Sequence, residues 1–191
     1  MMPRPRRIGH IGVVARDLDR TVDFYCSVLG MRVADRMTFP ETSPINEGVW
    51  LRIGCDHHVL SLFDLKDGED APPPQDSYPI PKGGLHHIAF EMACFEDLRA
   101  AARQVREEQI PLQGMRTGGP GCQLRLYFWD PEGNIVELYW ALDQIGWDGK
   151  SRPFPPVENI DLEELDVDTW LDGKGEEFAL GPVGAPIAGG A

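Results

Sequence analysis

The sequence predicts an α+β fold built from two tandem βαβββ modules, whose strands form a curved mixed sheet around a cleft. Three observations predict it. The chain repeats itself: His10-Ile11-Gly12-Val13-Val14 is answered by His87-Ile88-Ala89-Phe90, and Val59-Leu60-Ser61-Leu62-Phe63 by Ile135-Val136-Glu137-Leu138-Tyr139, and a repeat constrains the architecture before any single motif is weighed. After each opening strand comes one segment of helical periodicity. Between the copies lies a Pro-, Asp- and Gly-rich stretch, residues 65–83, with the composition of a connector.

The first module covers about residues 6–64. Its opening strand leads to Asp17, whose carboxylate can cap a helix start. Leu18, Val22, Tyr25, Val28 and Leu29 then recur at helical spacing, and Gly30 suits the left-handed turn that ends a helix. Trp50-Leu51-Arg52 and Val59 to Phe63 supply later strands. Residues 65–83, with Pro72-Pro73-Pro74, form an irregular crossover that either roofs the cleft or simply joins the modules. The second module, about residues 84–142, opens at His87 and continues into a helix from about Phe95 to Gln109. Phe95, Leu98, Ala102 and Val105 form its inward stripe, Arg99, Arg103, Arg106 and Glu107 face water, and Pro111 stops it. Gln123 to Tyr127 and Ile135 to Tyr139 close the module. Residues 143–191 form an acidic, Pro/Gly-rich extension, and Trp147, Phe154, Trp170 and Phe178 are expected to pack parts of it on the body or on a second subunit.

With 42% apolar and 26% charged residues, the makeup is that of an ordinary soluble globular protein. No apolar run approaches the roughly 20 residues needed to cross a bilayer. The basic stretch Met1 to Arg7 is not followed by the apolar segment of a secretion signal, so the expected setting is cytoplasmic. A net charge of −13 argues against nucleic acid or an anionic membrane as partner, because a polyanion needs a basic surface to displace its counterions. Cys26, Cys55, Cys94 and Cys122 are far apart and form no Cys-x-x-Cys pair. They are expected as buried, reduced thiols.

His10, His87 and Glu137 each sit in a short apolar run, from three well-separated parts of the chain. Two imidazoles and one carboxylate on one face of a metal, with the opposite face open, suit non-heme Fe(II) and dioxygen chemistry. Strand alternation puts His87 and Ala89 on one face and Ile88 and Phe90 on the other, and the small Ala89 leaves room beside the imidazole. Glu137 shares its face with Ile135 and Tyr139, and a carboxylate in such a run is costly to bury without a cation or proton. The expectation is that these three side chains meet on one divalent ion in the cleft.

The run Tyr127-Phe128-Trp129-Asp130-Pro131-Glu132-Gly133-Asn134-Ile135-Val136-Glu137 resembles the C-terminal signature of the type I extradiol (catechol 2,3-dioxygenase-like) ring-cleaving dioxygenases of the vicinal oxygen chelate superfamily. Leu51 to Leu62, with its His57-His58 pair, is similar to the segment that carries their acid–base histidine. Tyr78-Pro79-Ile80-Pro81-Lys82, leading to His86-His87, resembles the approach to their second histidine ligand. The likeness covers about residues 6–142. It implies Fe(II), with Mn(II) or another divalent metal in its place, held by His10, His87 and Glu137. A small aromatic diol and O2 are the implied substrates. From the residues alone, His58 is either a solvated hairpin residue or an acid–base group, and Tyr127 either a core aromatic or a hydrogen-bonding one; the resemblance implies the catalytic member of each pair, with His57 and His86 as their neighbours. The extension makes a homodimer or larger homo-oligomer the expected assembly. The chain departs from the pattern at Thr117-Gly118-Gly119-Pro120-Gly121, where family members commonly carry a further histidine. Two rivals follow from the same superfamily. One is a glyoxalase-, epimerase- or transferase-like enzyme using the metal as Lewis acid, although Val59-Leu60-Ser61-Leu62 lacks the second glutamate that many glyoxalases place there. The other is a metal-free antibiotic-binding protein, which has no need of the three ligands.

Overall fold

Asp17 accepts a hydrogen bond from the Arg20 backbone N–H at 3.1 Å and so starts α1 (Leu18–Val28), while Gly30, at φ 63°, takes the turn beyond its end. In this computed structural model, which describes residues 7–68, 75, 76, 78, 83–144 and 153–174, α1 packs its Leu18, Val22 and Tyr25 stripe on a four-stranded sheet. The strands are β1 (Ile11–Val14), β2 (Arg32–Thr38), β3 (Ile45–Arg52) and β4 (Leu60–Leu65), in the order β1-β4-β3-β2. β1 runs parallel to β4, and the other neighbours are antiparallel. Alternation buries Val49, Leu51, Leu60 and Leu62 and turns Gly48, Trp50, Ser61 and Phe63 to the opposite face.

The second half repeats this arrangement. β5 (His87–Glu91) is followed by α2 (Phe95–Glu107), β6 (Leu112–Thr117), β7 (Leu124–Trp129) and β8 (Ile135–Trp140), with β5 parallel to β8 as β1 is to β4. Phe95, Leu98, Ala102 and Val105 are buried as the periodicity predicts. The helix ends two residues before the expected Gln109, which itself turns out at φ 55°. The fold is therefore the expected pair of βαβββ modules.

Two compact units divide the chain. One holds β1 to β4 with α1 and, by tertiary contact, residues 130–134; the other holds the remaining elements. The extension contributes to the second unit. β9 (Glu158–Asn159) pairs with β6 as a fifth strand, and α3 (Val167–Lys174) follows. Leu162 is fully buried, and Trp170 donates from Nε1 to Thr117 Oγ1 at 2.9 Å. Of the aromatics expected to anchor this segment, Trp170 does so and Phe154 is exposed; Trp147 and Phe178 lie outside the described residues, as does most of the crossover. Among its described residues, Tyr78 is buried against Trp129 and Ile135. The cysteines are free, as expected, but only Cys122 is buried. Cys55 is exposed because it follows Gly54, at φ 63°, in the turn between β3 and β4. Among the described residues, no helix is long and apolar enough to cross a membrane.

Candidate functional site

In the second unit, β5 and β8 run parallel, pairing His87 with Ile135 and Ala89 with Glu137. This brings His87 Nε2 to 3.1 Å from Glu137 Oε2. Glu137 is only 3% exposed, so His87 is one of the polar partners that make the carboxylate tolerable in an apolar strand. His87 Nδ1 lies 2.8 Å from His86 Nδ1, a contact that ties down the ring from its other side. Tyr127 stands directly opposite Glu137 on β7, its ring edge-on to His87 with centroids 6.1 Å apart. Burial, and then the hydrogen bond to Glu137, push the Tyr127 phenol up to about 12, so it remains a proton donor toward the carboxylate. On the same face, Arg116 places its guanidinium 5.2 Å from the centre of the Tyr127 ring. Arg125 donates from Nη2 to the Gly118 carbonyl at 2.6 Å and the Thr117 carbonyl at 3.2 Å.

The first unit carries the other histidines. His10, just ahead of β1, is exposed and lies against His58 with ring centroids 4.6 Å apart. His58 Nδ1 is 2.9 Å from His57 Nδ1, and His57 Nε2 is 2.9 Å from Asp35 Oδ2. This chain constrains the tautomers. A carboxylate only accepts, so His57 donates from Nε2; in the arrangement in which His57 Nδ1 accepts, His58 donates from Nδ1, and His58 Nε2 keeps a free lone pair. Desolvation, then His10 and His57, lower the His58 pKa and favour that neutral form. Ser61 occupies the place that register makes equivalent to Glu137, since Gly12 pairs with Ser61 as Ala89 pairs with Glu137. It is 1% exposed, and its hydroxyl has no hydrogen-bond partner among the described residues.

Of the expected ligands, His87 and Glu137 belong to one unit and meet there, and His10 belongs to the other, against His58. Among the described residues, no group of three His, Cys, Asp or Glu side chains is gathered for a metal. Asp35, Arg116 and Arg125 escaped the sequence reading, because each is an ordinary polar strand residue until cross-strand pairing places it.

The Asp130-Pro131-Glu132-Gly133-Asn134 turn has a structural task. Glu132 Oε1 accepts from the N–H groups of Arg16 and Asp17, both at 2.9 Å, and from the Thr21 hydroxyl at 3.0 Å. Asp130 accepts from the Tyr25 hydroxyl at 2.9 Å, and from the Asn134 N–H at 2.7 Å. Desolvation still pushes the Asp130 carboxyl up, against those donors, and pushes the Tyr25 phenol well above its usual value.

The family described as the Glyoxalase/Bleomycin resistance protein/Dioxygenase superfamily matches residues 7–138. Metapyrocatechase 2 of Cupriavidus necator is 27% identical over 143 residues, covering 74% of this chain but only 38% of that protein. The mitochondrial methylmalonyl-CoA epimerase of Homo sapiens is 27% identical over 104 residues, or 54% of each chain. Among solved structures, a glyoxalase family protein from Enterococcus faecalis is similar with a TM-score of 0.53 and 27% identity, over 70% of this chain and 97% of that one.

Proposed function

The chain belongs to the Glyoxalase/Bleomycin resistance protein/Dioxygenase superfamily, and from that premise we propose that it is an extradiol ring-cleaving dioxygenase acting on a catecholic substrate. Its cofactor in this reading is Fe(II), with Mn(II) as the substitute, held by His10, His87 and Glu137. The observation that carries the reading is the 3.1 Å approach of His87 Nε2 to Glu137 Oε2, a carboxylate set among the apolar residues of β8. Two donor atoms of ligand type face each other there, around a buried carboxylate that a cation would neutralise. Bound there, a divalent iron would order the diol and O2 side by side and relay electrons between them.

The protein's own groups do the rest. Two imidazole ligands and one carboxylate would leave such a centre with net positive charge, which would favour a catecholate. His58 Nε2, left bare by the Asp35–His57–His58 chain, accepts a diol proton and later returns it. Tyr127 donates to Glu137 and holds the carboxylate's orientation. Oxygen chemistry is favoured over an isomerase with four protein ligands by Ser61, which stands where a second glutamate would complete such a set. The reading includes a homo-oligomer in a cytoplasmic setting, with the diol and O2 as its small-molecule partners.

The test is metal analysis of freshly purified protein, then anaerobic loading with Fe(II) and exposure to catechol in air. A yellow ring-opened product with matching oxygen uptake is expected. Bound metal with no oxygen uptake on any diol would favour the epimerase- or lyase-like alternative. Protein that takes up no divalent metal would overturn both.

A further inference from the structure

The face that carries His87, Tyr127 and Glu137 also carries two arginines without a carboxylate partner among the described residues. The chain carries 31 acidic against 18 basic residues; Arg7, Arg16, Arg36, Arg103 and Arg106 each meet a carboxylate, and Arg125 is the one arginine buried among the described residues. Arg116 and Arg125 stand directly opposite each other on β6 and β7, and like charges so placed repel. Arg125 is 8% exposed, and its Nε is buried with no hydrogen-bond partner among the described residues. A charge held this way is costly unless something anionic approaches it. Gly114, beside Arg116 on β6, lies at φ 152°, and the Arg116 guanidinium passes over it in ordinary van der Waals range.

Resting on the dioxygenase reading, we infer that Arg116, backed by Arg125, forms a subsite for an oxyanionic substituent of the substrate, so that the substrate class is a ring diol bearing a carboxylate. The planar guanidinium matches a carboxylate through two parallel hydrogen bonds. Arg116 is the group that reaches the substituent, since it is half-buried. Arg125 is a positioning residue, which fastens the Thr117–Gly118 carbonyls and adds positive potential behind its neighbour. The equivalent positions of the first unit, Met37 and Gly48, carry no charge, so the subsite belongs to one half of the repeat.

The experiment compares kcat/KM of the iron-loaded protein on catechol and on protocatechuate. It also follows calorimetric binding of benzoate and of phenylphosphonate, which needs no turnover. Expected are a preference for the carboxylated diol of roughly tenfold or more, the scale of a charge-assisted hydrogen bond, and its loss in Arg116→Gln with partial return in Arg116→Lys. Equal or better turnover of catechol by the unaltered protein, which requires no variant to fold, would overturn the subsite. So would a selectivity ratio unmoved by Arg116→Gln. Binding of phenylphosphonate without benzoate would overturn the carboxylate class. If no diol is cleaved, yet benzoate binds and Arg116→Gln abolishes that binding, the subsite stands and the dioxygenase reading falls.

Discussion

Where β8 places Glu137 beside Ala89, β4 places Ser61 beside Gly12, and where β7 sets Tyr127 against Glu137, β3 sets Trp50 against Ser61. The same register matches Arg125 with Gly48 and Arg116 with Met37. The helix-facing sides have hardly diverged: Leu60 answers Val136, Leu62 answers Leu138, and Leu51 answers Phe128, all buried. Packing at crystal-like density punishes change on that side. On the opposite face, where Ser61, Arg125, Tyr127 and Glu137 are buried as well, the halves have nevertheless parted. The second unit collects charge and hydrogen-bonding groups, whereas the first collects rings. Phe39, Trp50 and Phe63 lie 5.9 to 6.5 Å apart and close over Gly48, where a Cβ would come within 3.1 to 3.2 Å of all three. A duplicated scaffold has thus kept its packing while its two open faces took different chemical tasks.

The largest expected effect comes from erasing the contrast at the Ser61/Glu137 position. Glu137→Gln preserves shape and removes a buried charge, so the fold should keep its melting temperature. Metal content and oxygen uptake should fall by more than about a hundredfold, beyond the roughly 10–100-fold that follows loss of a group behind a ligand. Ser61→Glu is the reciprocal change. It should tighten divalent-metal binding and suppress oxygen uptake, by taking a position left for an exogenous ligand. Metal affinity and turnover that ignore both changes would show that the register-matched pair has no shared role.

The two helix starts sharpen the comparison through stability. α1 begins under Asp17 and the Glu132 carboxylate, which gathers three donors within 2.9 to 3.0 Å. At the start of α2, Cys94 makes no side-chain cap bond. Glu132→Ala strands those donors and the Arg16 guanidinium, and should cost about 3 kcal/mol, lowering Tm by on the order of 10 °C. Glu96→Ala, in the first turn of α2, removes only a favourable dipole interaction of about 0.5 kcal/mol. Thermal unfolding of the two variants side by side checks this, and comparable losses would dissolve the distinction.

Much of this architecture was legible in the sequence because its signals were local. Asp17 and Gly30 bracket a periodic stripe, and β7 and β8 are apolar runs. His87 and Glu137 were joined, with His10, by their residue types in apolar runs before any pairing was known. What stayed hidden depended on distant partners. β2 was not located, because its exposed sequence Arg32-Val33-Ala34-Asp35-Arg36-Met37-Thr38 shows no alternation and becomes a strand by pairing with β3. Glu132 works through donors more than a hundred positions away in the chain. The Arg116–Arg125 juxtaposition follows from the shift in pairing between Leu112 and Gly114, which composition does not encode.

The smallest expected effect concerns the strand that makes the sheets unequal. β9 adds to the second sheet alone, and the segment after it is tied to α2 by Arg106–Asp161 at 2.9 Å and Arg103–Glu163 at 2.8 Å. Arg106 first, and then the Glu163 N–H, hold the Asp161 carboxyl below its usual range. A carboxyl with a depressed folded value contributes its stabilisation above the unfolded value of about 3.9, and loses it as the pH falls through the lower folded value. Both pairs are partly exposed, so salt should weaken them and the contribution is modest. Acidification from about pH 5 to pH 3 should therefore lower the hydrogen-exchange protection of the Ile160 amide, which donates to the Met115 carbonyl at 3.0 Å. Amides of the β3–β4 pair should hold their protection over the same interval, and added salt at pH 7 should reproduce part of the loss. Equal loss in both sheets would mean that acid acts on the fold as a whole rather than on the one strand the first unit lacks.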